Sequence, residues 1–253
     1  MTRSALSFVL AAALAATPVT MALAQDQAAD EAALLETGHR LADLLRAGRA
    51  VVSSKQPLIN DADLGAKGIT PDSFVEEVVA VYADRTGAPP VTPGMDPRDV
   101  VLVEAFLDAM RDVIVDAQPL IDREGMAFKG FIPATFARLT NERFDAAKAG
   151  VAGVKVTAPP HLVRNRMARP DPWESAVIAE HLDAPGWSRG EAFHEIVDES
   201  GTPAFRMLIP EYYSESCMSC HGGPAGDTDI TGFPKEGAAP GDLGGAISIT
   251  LRR

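Results

Sequence analysis

One change of texture, near residue 150, limits the architecture of this chain more than any other feature. Before that point apolar residues recur at helical spacing, and after Gly153 they alternate over short stretches. Helices first and antiparallel strands afterwards predict an α+β fold. In the first part, Leu34, Leu35, Leu41, Ala42 and Leu45 form one stripe over Asp30 to Ser53. A second helix is expected from Pro71 to Thr86, with Thr70 as N-cap, proline in the first turn and Gly87 as the stop. Ala88 to Gly94, rich in proline, reads as a linker.

The helical part repeats itself. Gln56-Pro57-Leu58-Ile59-Asn60 with Lys67-Gly68 returns as Gln118-Pro119-Leu120-Ile121-Asp122 with Lys129-Gly130, every position displaced by 62 residues. A helical pattern precedes each copy (Leu102, Phe106, Met110 and Val113 in the second) and another follows it, Pro133 through Phe144 in the second. The spacing predicts a duplicated helix-loop-helix. In the second part, Val154 to Thr157 is a predicted strand. Ala192 to Glu199 and Pro203 to Tyr212 form a predicted hairpin about Ser200-Gly201, and Gly245 to Leu251 is a last strand.

The amino terminus reads as an export signal. Arg3, the apolar run Ala5 to Ala16 and the small-residue pattern Ala22-Leu23-Ala24 suit cleavage before Gln25, so 1–24 is expected to be a signal peptide and the mature protein periplasmic. The run is shorter than the roughly 18 to 20 apolar residues of a bilayer span and Pro18 interrupts it, so no integral membrane span is expected after cleavage. A formal charge of −12 argues against nucleic acid or anionic membrane as the main partner. The charge is uneven: Arg123 to Arg169 holds nine Lys or Arg against three acids. That basic island either faces an anion or is a set of solvated or salt-bridged surface side chains.

Cys217-Met218-Ser219-Cys220-His221 contains the only two cysteines. Two thiols three positions apart, followed at once by histidine, are spaced to add across the two vinyl groups of a haem while the imidazole ligates its iron. The motif predicts one covalent haem c held by Cys217, Cys220 and His221, with His221 as the proximal iron ligand. A thioredoxin-like pair would need a βαβ setting and no adjacent histidine. Zinc would lack a fourth ligand.

Several blocks occur in one order: Lys129 to Ala137, Arg164-Asn165, Pro170-Asp171-Pro172-Trp173-Glu174, Cys217 to Pro224, and Gly244 to Ser248. In this the chain resembles the PAS-like c-type haem domain, a domain of unknown function found in cyanobacterial cytochromes and as the sensor part of bacterial histidine kinases. The likeness is strongest from Asp96 to Arg253, and Gln56 to Thr70 also resembles some kinase-linked members. It implies a PAS-like antiparallel sheet with flanking helices, a haem in the sheet's pocket and a role in one-electron transfer or redox sensing. The expected organisation is thus a helical N-terminal unit over 25–90 and a PAS-like haem-c domain over 96–253. Some members are understood to use a cysteine as second axial ligand, and here no third cysteine exists.

The distal ligand is therefore open among His161, His194, His39 and His181, with methionine (Met126, Met167, Met207 or Met218) or an open site as the other possibilities. Arg164, inside the basic island, is a candidate partner for a haem propionate; the alternative is that Arg164 and Glu174 clamp a loop together. No catalytic constellation argues for an enzyme. The partners expected are a redox protein or a separate signal transducer. A gas-ligand haem sensor and a haem-free thiol-disulfide protein are the alternative functions.

Overall fold

The computed structural model describes the backbone of residues 18–252 and side chains from Gln27 onward. Most of the expected signal peptide therefore lies outside the described residues. No helix among the described residues is long and apolar enough to cross a membrane.

Five helices come first: α1 (Pro18–Ser54), α2 (Gln56–Ile59), α3 (Pro71–Thr86), α4 (Pro97–Ile121) and α5 (Pro133–Ala147). Helix α3 has the expected limits. The Thr70 side chain accepts from the Ser73 N–H, Pro71 opens the first turn, and Gly87 closes it with φ 80°.

The 62-residue repeat is a physical near-twofold. Each Gln-Pro-Leu-Ile ends a helical run, Gly68 and Gly130 have φ 70° and 69°, and α3 and α5 both begin four residues after the repeated lysine. The copies then exchange equivalent contacts. Asn60 Oδ1 accepts from the Lys129 N–H at 3.0 Å, and its counterpart Asp122 Oδ1 accepts from the Lys67 N–H at 2.9 Å. Phe74 packs on its counterpart Phe136 with ring centroids 5.2 Å apart. Both lysines are buried; Lys67 donates to the Asp61 carbonyl, and Lys129 to those of Ile59 and Asp61. Burial and the neighbouring Lys67 push the Lys129 ammonium below its ordinary range.

Four antiparallel strands follow: β1 (Ala152–Thr157), β2 (Phe193–Glu199), β3 (Thr202–Tyr212) and β4 (Leu243–Leu251), in the order β1-β4-β3-β2. The architecture is α+β, as the periodicity predicts. Ser200 and Gly201, both at positive φ, make the two-residue turn between β2 and β3. Between β1 and β2 lie two short turns, Pro160–Leu162 and Arg166–Ala168, then α6 (Pro172–Val177), which runs into a wider turn at Ile178–Leu182.

Strand β3 is buried on both faces, which explains its run of buried residues from Ala204 to Pro210. Phe205, Met207 and Ile209 join Ile247 and Ile249 of β4 against the helical layer, in a core containing Leu41, Phe106, Met110 and Phe144. Leu208 and Ala246 face the other way, onto Val177, Ile178 and Leu182. Each fully buried side chain of this kind contributes about 1.5–3 kcal/mol.

The expected division at residues 90–96 does not occur. Leu34 to Arg253 form one compact unit, because Leu41 and Phe74 of the first copy and Phe136 of the second belong to one core that also meets the sheet. The described residues before Leu34, the first part of α1, belong to a separate unit. Ala88 to Gly94 crosses within the larger unit as a loop between α3 and α4.

Candidate functional site

The cysteine motif stands where β3 leaves the sheet. After Tyr212 the chain passes Tyr213 and Ser214, makes a tight turn at Glu215–Cys217 and continues as the single helical turn α7 (Met218–His221). Ser214 starts this segment, its N–H and hydroxyl both facing Cys217 Sγ at 3.4 Å. Cys217 and Cys220 are free thiols, half-buried, on one continuous turn.

His221 is fixed from two sides. Its Nδ1 faces Glu236 Oε2 at 2.8 Å, and the Tyr213 ring stacks on it at 4.7 Å with 29° between planes. A carboxylate only accepts, so Nδ1 carries a proton, and in the neutral ring Nε2 keeps the lone pair. Carboxylate-backed Nδ1 is the arrangement that orients metal-ligating histidines. Tyr213 reaches the imidazole because Gly244 of β4 lies beneath it: a Cβ at Gly244 would stand 2.6 Å from the tyrosine ring. Burial, then the nearby Glu236 charge, push the Tyr213 phenol up to about 12.

Beneath the motif sits Arg164. Its Nε and Nη2 donate to Glu236, Nη1 donates to Asp229 at 2.6 Å, and Nη2 also reaches the Cys220 carbonyl at 2.8 Å. The guanidinium therefore ties the loop carrying Asp229 and Glu236 to the backbone of the motif. Asp229 is the fixed point of that loop. Burial works against its charge, but hydrogen bonds from the Thr231 hydroxyl, from Arg164 and from the Phe233 and Thr231 N–H groups outweigh it and hold the carboxyl well below the usual range. Burial likewise opposes the Glu236 charge, and Arg164 and His221 together overcome it.

These contacts revise two expectations. The guanidinium expected to meet a propionate is already shared by Asp229, Glu236 and the carbonyls of Cys220 and Pro234. Nor do Arg164 and Glu174 clamp one another: Glu174 pairs with Lys155 at 2.8 Å and lies 3.6 Å from Arg206. Four members of the basic island form separate ion pairs, Arg138 with Glu142, Arg143 with Asp116, Lys155 with Glu174 and Arg164 with Asp229.

The four remaining histidines are dispersed. His181 stacks on Phe193 at 4.2 Å, against Trp187. His194 pairs across the sheet with Met207, and His39 of α1 lies near it. Burial first, then Arg46 and His194, lower the His39 imidazole, with Asp43 opposing. Met207 lies six residues before Tyr213, about 20 Å back along the strand, so the His39–His194 pair belongs to another part of the sheet. His161 is exposed, four residues beyond the end of β1, where Thr157 meets the Gly245 backbone next to Gly244 and Tyr213. It is the histidine at the motif's end of the sheet. Among the methionines considered, Met207 is fully buried in the core and Met167 is 72% exposed.

The residues fit a c-type haem: two free thiols one turn apart, an imidazole with Nε2 free and Nδ1 backed by a carboxylate, and exposed apolar Ile230 and Phe233 in the loop that follows. Among the described residues no group of three or more His, Cys, Asp or Glu side chains is arranged to hold a metal ion. Tyr213, Asp229, Glu236 and Gly244 are the site residues that sequence reasoning missed.

No curated protein and no solved structure matches the chain. The sequence model of one family, Tll0287-like, matches residues 25–252. With the match covering nearly the whole length, the chain belongs to the Tll0287-like family.

Proposed function

We propose that this is an exported, periplasmic c-type haem protein, with Cys217 and Cys220 bonded to one haem and His221 its proximal ligand, acting in one-electron transfer or redox sensing. The observation that carries the reading is the pairing of His221 Nδ1 with Glu236 beside two free thiols on the same turn. In attachment each thiol adds across a vinyl group: sulfur bonds to one carbon and the proton goes to the other. When bound, the haem supplies an iron centre that gains and loses single electrons. Glu236 holds the Nδ1 proton, Tyr213 fixes the ring plane, and Arg164 ties the Cys220 carbonyl to the Asp229 loop. Such restraint lowers the reorganisation that accompanies a change of charge at Nε2.

Of the distal candidates, His161 is favoured by its place at the motif's end of the sheet. The resemblance to PAS-like c-type haem domains supports the same reading and adds a redox partner or a separate signal transducer.

Mass spectrometry of the periplasmic product, made together with a haem-attachment system, tests the proposal. The expected product is polypeptide plus one iron porphyrin, with a reduced α-band that survives acid-acetone extraction in wild type and is lost in the Cys217→Ala, Cys220→Ala double variant. Polypeptide mass alone would overturn it and leave the thiol-disulfide reading. Insensitivity of the Soret band to carbon monoxide, reversed by His161→Ala, identifies a closed iron suited to electron transfer. A carbon monoxide shift in wild type identifies a gas-ligand sensor instead.

A further inference from the structure

The sheet has two edges, and they are finished differently. At the β1 edge the outward amides are taken up by the end of α5: the Ala152 N–H donates to the Lys148 carbonyl at 3.0 Å, and the Val154 N–H to Asp145 Oδ1 at 2.9 Å. At the β2 edge the ladder stops. β3 is the only strand beside β2, and Phe193–Glu199 contains no lysine, proline, glycine or bulge, the devices that ordinarily blunt an edge.

The turn at Ser200-Gly201 decides which groups of β2 point outward. A two-residue turn makes Glu199 and Thr202 a hydrogen-bonded pair, so Glu199, Val197, Glu195 and Phe193 bond to β3, while His194, Ile196 and Asp198 direct their N–H and C=O groups away from it. The side chains of these three share the face of Phe205 and Met207, on the helical side. Ile196, the apolar one in the middle, is 57% exposed. An exposed apolar side chain at the centre of an unblunted edge is what an added strand covers.

The sequence of β2 is complementary to itself. In an antiparallel pair about a twofold axis, outward residues must face outward residues, which leaves few registers. With Ile196 opposite Ile196 of the second copy, His194 faces Asp198, Glu195 faces Val197 and Phe193 faces Glu199, so no two like charges meet. Moving one strand by two residues in either direction sets Glu195 against Glu195 or against Glu199. Both of these acids are already held within their own copy, Glu195 by the Trp173 indole N–H and Glu199 by Arg252. In the matched register three outward pairs exchange about six backbone hydrogen bonds.

We infer that β2 is the interface of a homodimer, two copies pairing antiparallel about Ile196 so that their sheets become one. The pairing uses none of the groups around the cysteine motif and is independent of haem attachment. Two seven-residue strands bury less than the roughly 1,200–2,000 Å² of a tight interface, so the dissociation constant is expected in the micromolar range. Sedimentation velocity of the purified full chain over a concentration series tests this. Wild type should pass from monomer to dimer. Ile196→Lys, which sets two cations face to face at the centre, should raise the dissociation constant at least about tenfold while far-ultraviolet circular dichroism stays unchanged. Amide hydrogen exchange reads the register: as concentration rises, the Ile196 and Asp198 amides should gain protection, and those of Glu195 and Val197, already bonded to β3, should not change. A monomer at every concentration up to about 1 mM would overturn the inference. So would a dimer that Ile196→Lys leaves intact, or protection gained on another element and not on β2.

Discussion

The two ends of the sheet each hold an arginine among carboxylates, and they differ in one respect. At the motif's end, Arg164 meets two carboxylates and the Cys220 carbonyl, Asp229 is enclosed by four donors, and Glu236 is shared between Arg164 and His221. At the other end, Arg206 leaves Nε buried and unpaired, and Asp145 has another anion, Glu142, as its charged neighbour. A closed network fixes atoms in place, and here it fixes an imidazole and a cysteine backbone. An open one leaves groups unmatched. The same residue types therefore form a matched network at one end and an incompletely matched one at the other.

The largest test of this contrast removes the centre of the closed network. Asp229→Ala should cost about 3 kcal/mol in urea unfolding, since it leaves Nη1 of a mostly buried guanidinium and several N–H groups without their acceptor. Its pH dependence has a definite sign. The folded carboxyl is held below its unfolded value of about 4, so its contribution is complete above that pH and is lost as acid approaches the lower folded value. The stability gap between wild type and Asp229→Asn should thus be full at pH 6 and shrink below about pH 4. A gap that does not vary with pH would show that the carboxylate charge has no part in the network.

Next in size is Gly244→Val. The new Cβ would overlap the Tyr213 ring, so Tyr213 must leave His221, at a cost of about 2 kcal/mol and with a change in near-ultraviolet circular dichroism. Glu236→Gln is milder. It keeps the shape but removes the charge that Arg164 and His221 share, for about 1 kcal/mol, and should alter the tautomer balance of His221 read from its ring nitrogen shifts. Equivalent shifts in wild type and variant would remove Glu236 from its orienting role.

Much of the frame is legible in the sequence because local rules act on it directly. Thr70, Pro71 and Gly87 mark both ends of α3, Ser200-Gly201 marks the hairpin, and the 62-residue offset places Phe74 opposite Phe136. The thiols and His221 are legible as well, since their geometry is local to one turn. What holds them is not. Arg164 is 65 residues from Asp229 and 72 from Glu236, and no periodicity connects a loop arginine with acids in a glycine- and proline-rich stretch. Gly244 carries no sign in the sequence that a tyrosine 31 residues earlier will lie on it. The expected domain division failed for a related reason. A proline-rich loop marks an interruption of helix, and whether a core continues across it depends on contacts such as Phe74 with Phe136.

The smallest expected effect discriminates best between the two ends. Asp145→Asn should change the stability of the protein by no more than about 0.5 kcal/mol at pH 7, because the side chain is exposed and Asn still accepts from the Val154 N–H. Its pH dependence runs opposite to that of Asp229. With the folded carboxyl raised, the folded state binds more protons than the unfolded one just above the unfolded value, so wild-type stability falls slightly as pH rises through that window. Asp145→Asn should remove this fall, whereas Asp229→Asn removes a rise. Two aspartates changed to the same amide would then bend the acid limb of the stability curve in opposite directions. If both bent it the same way, Asp145 would have a cationic partner and its end of the sheet would be as closed as the motif's end.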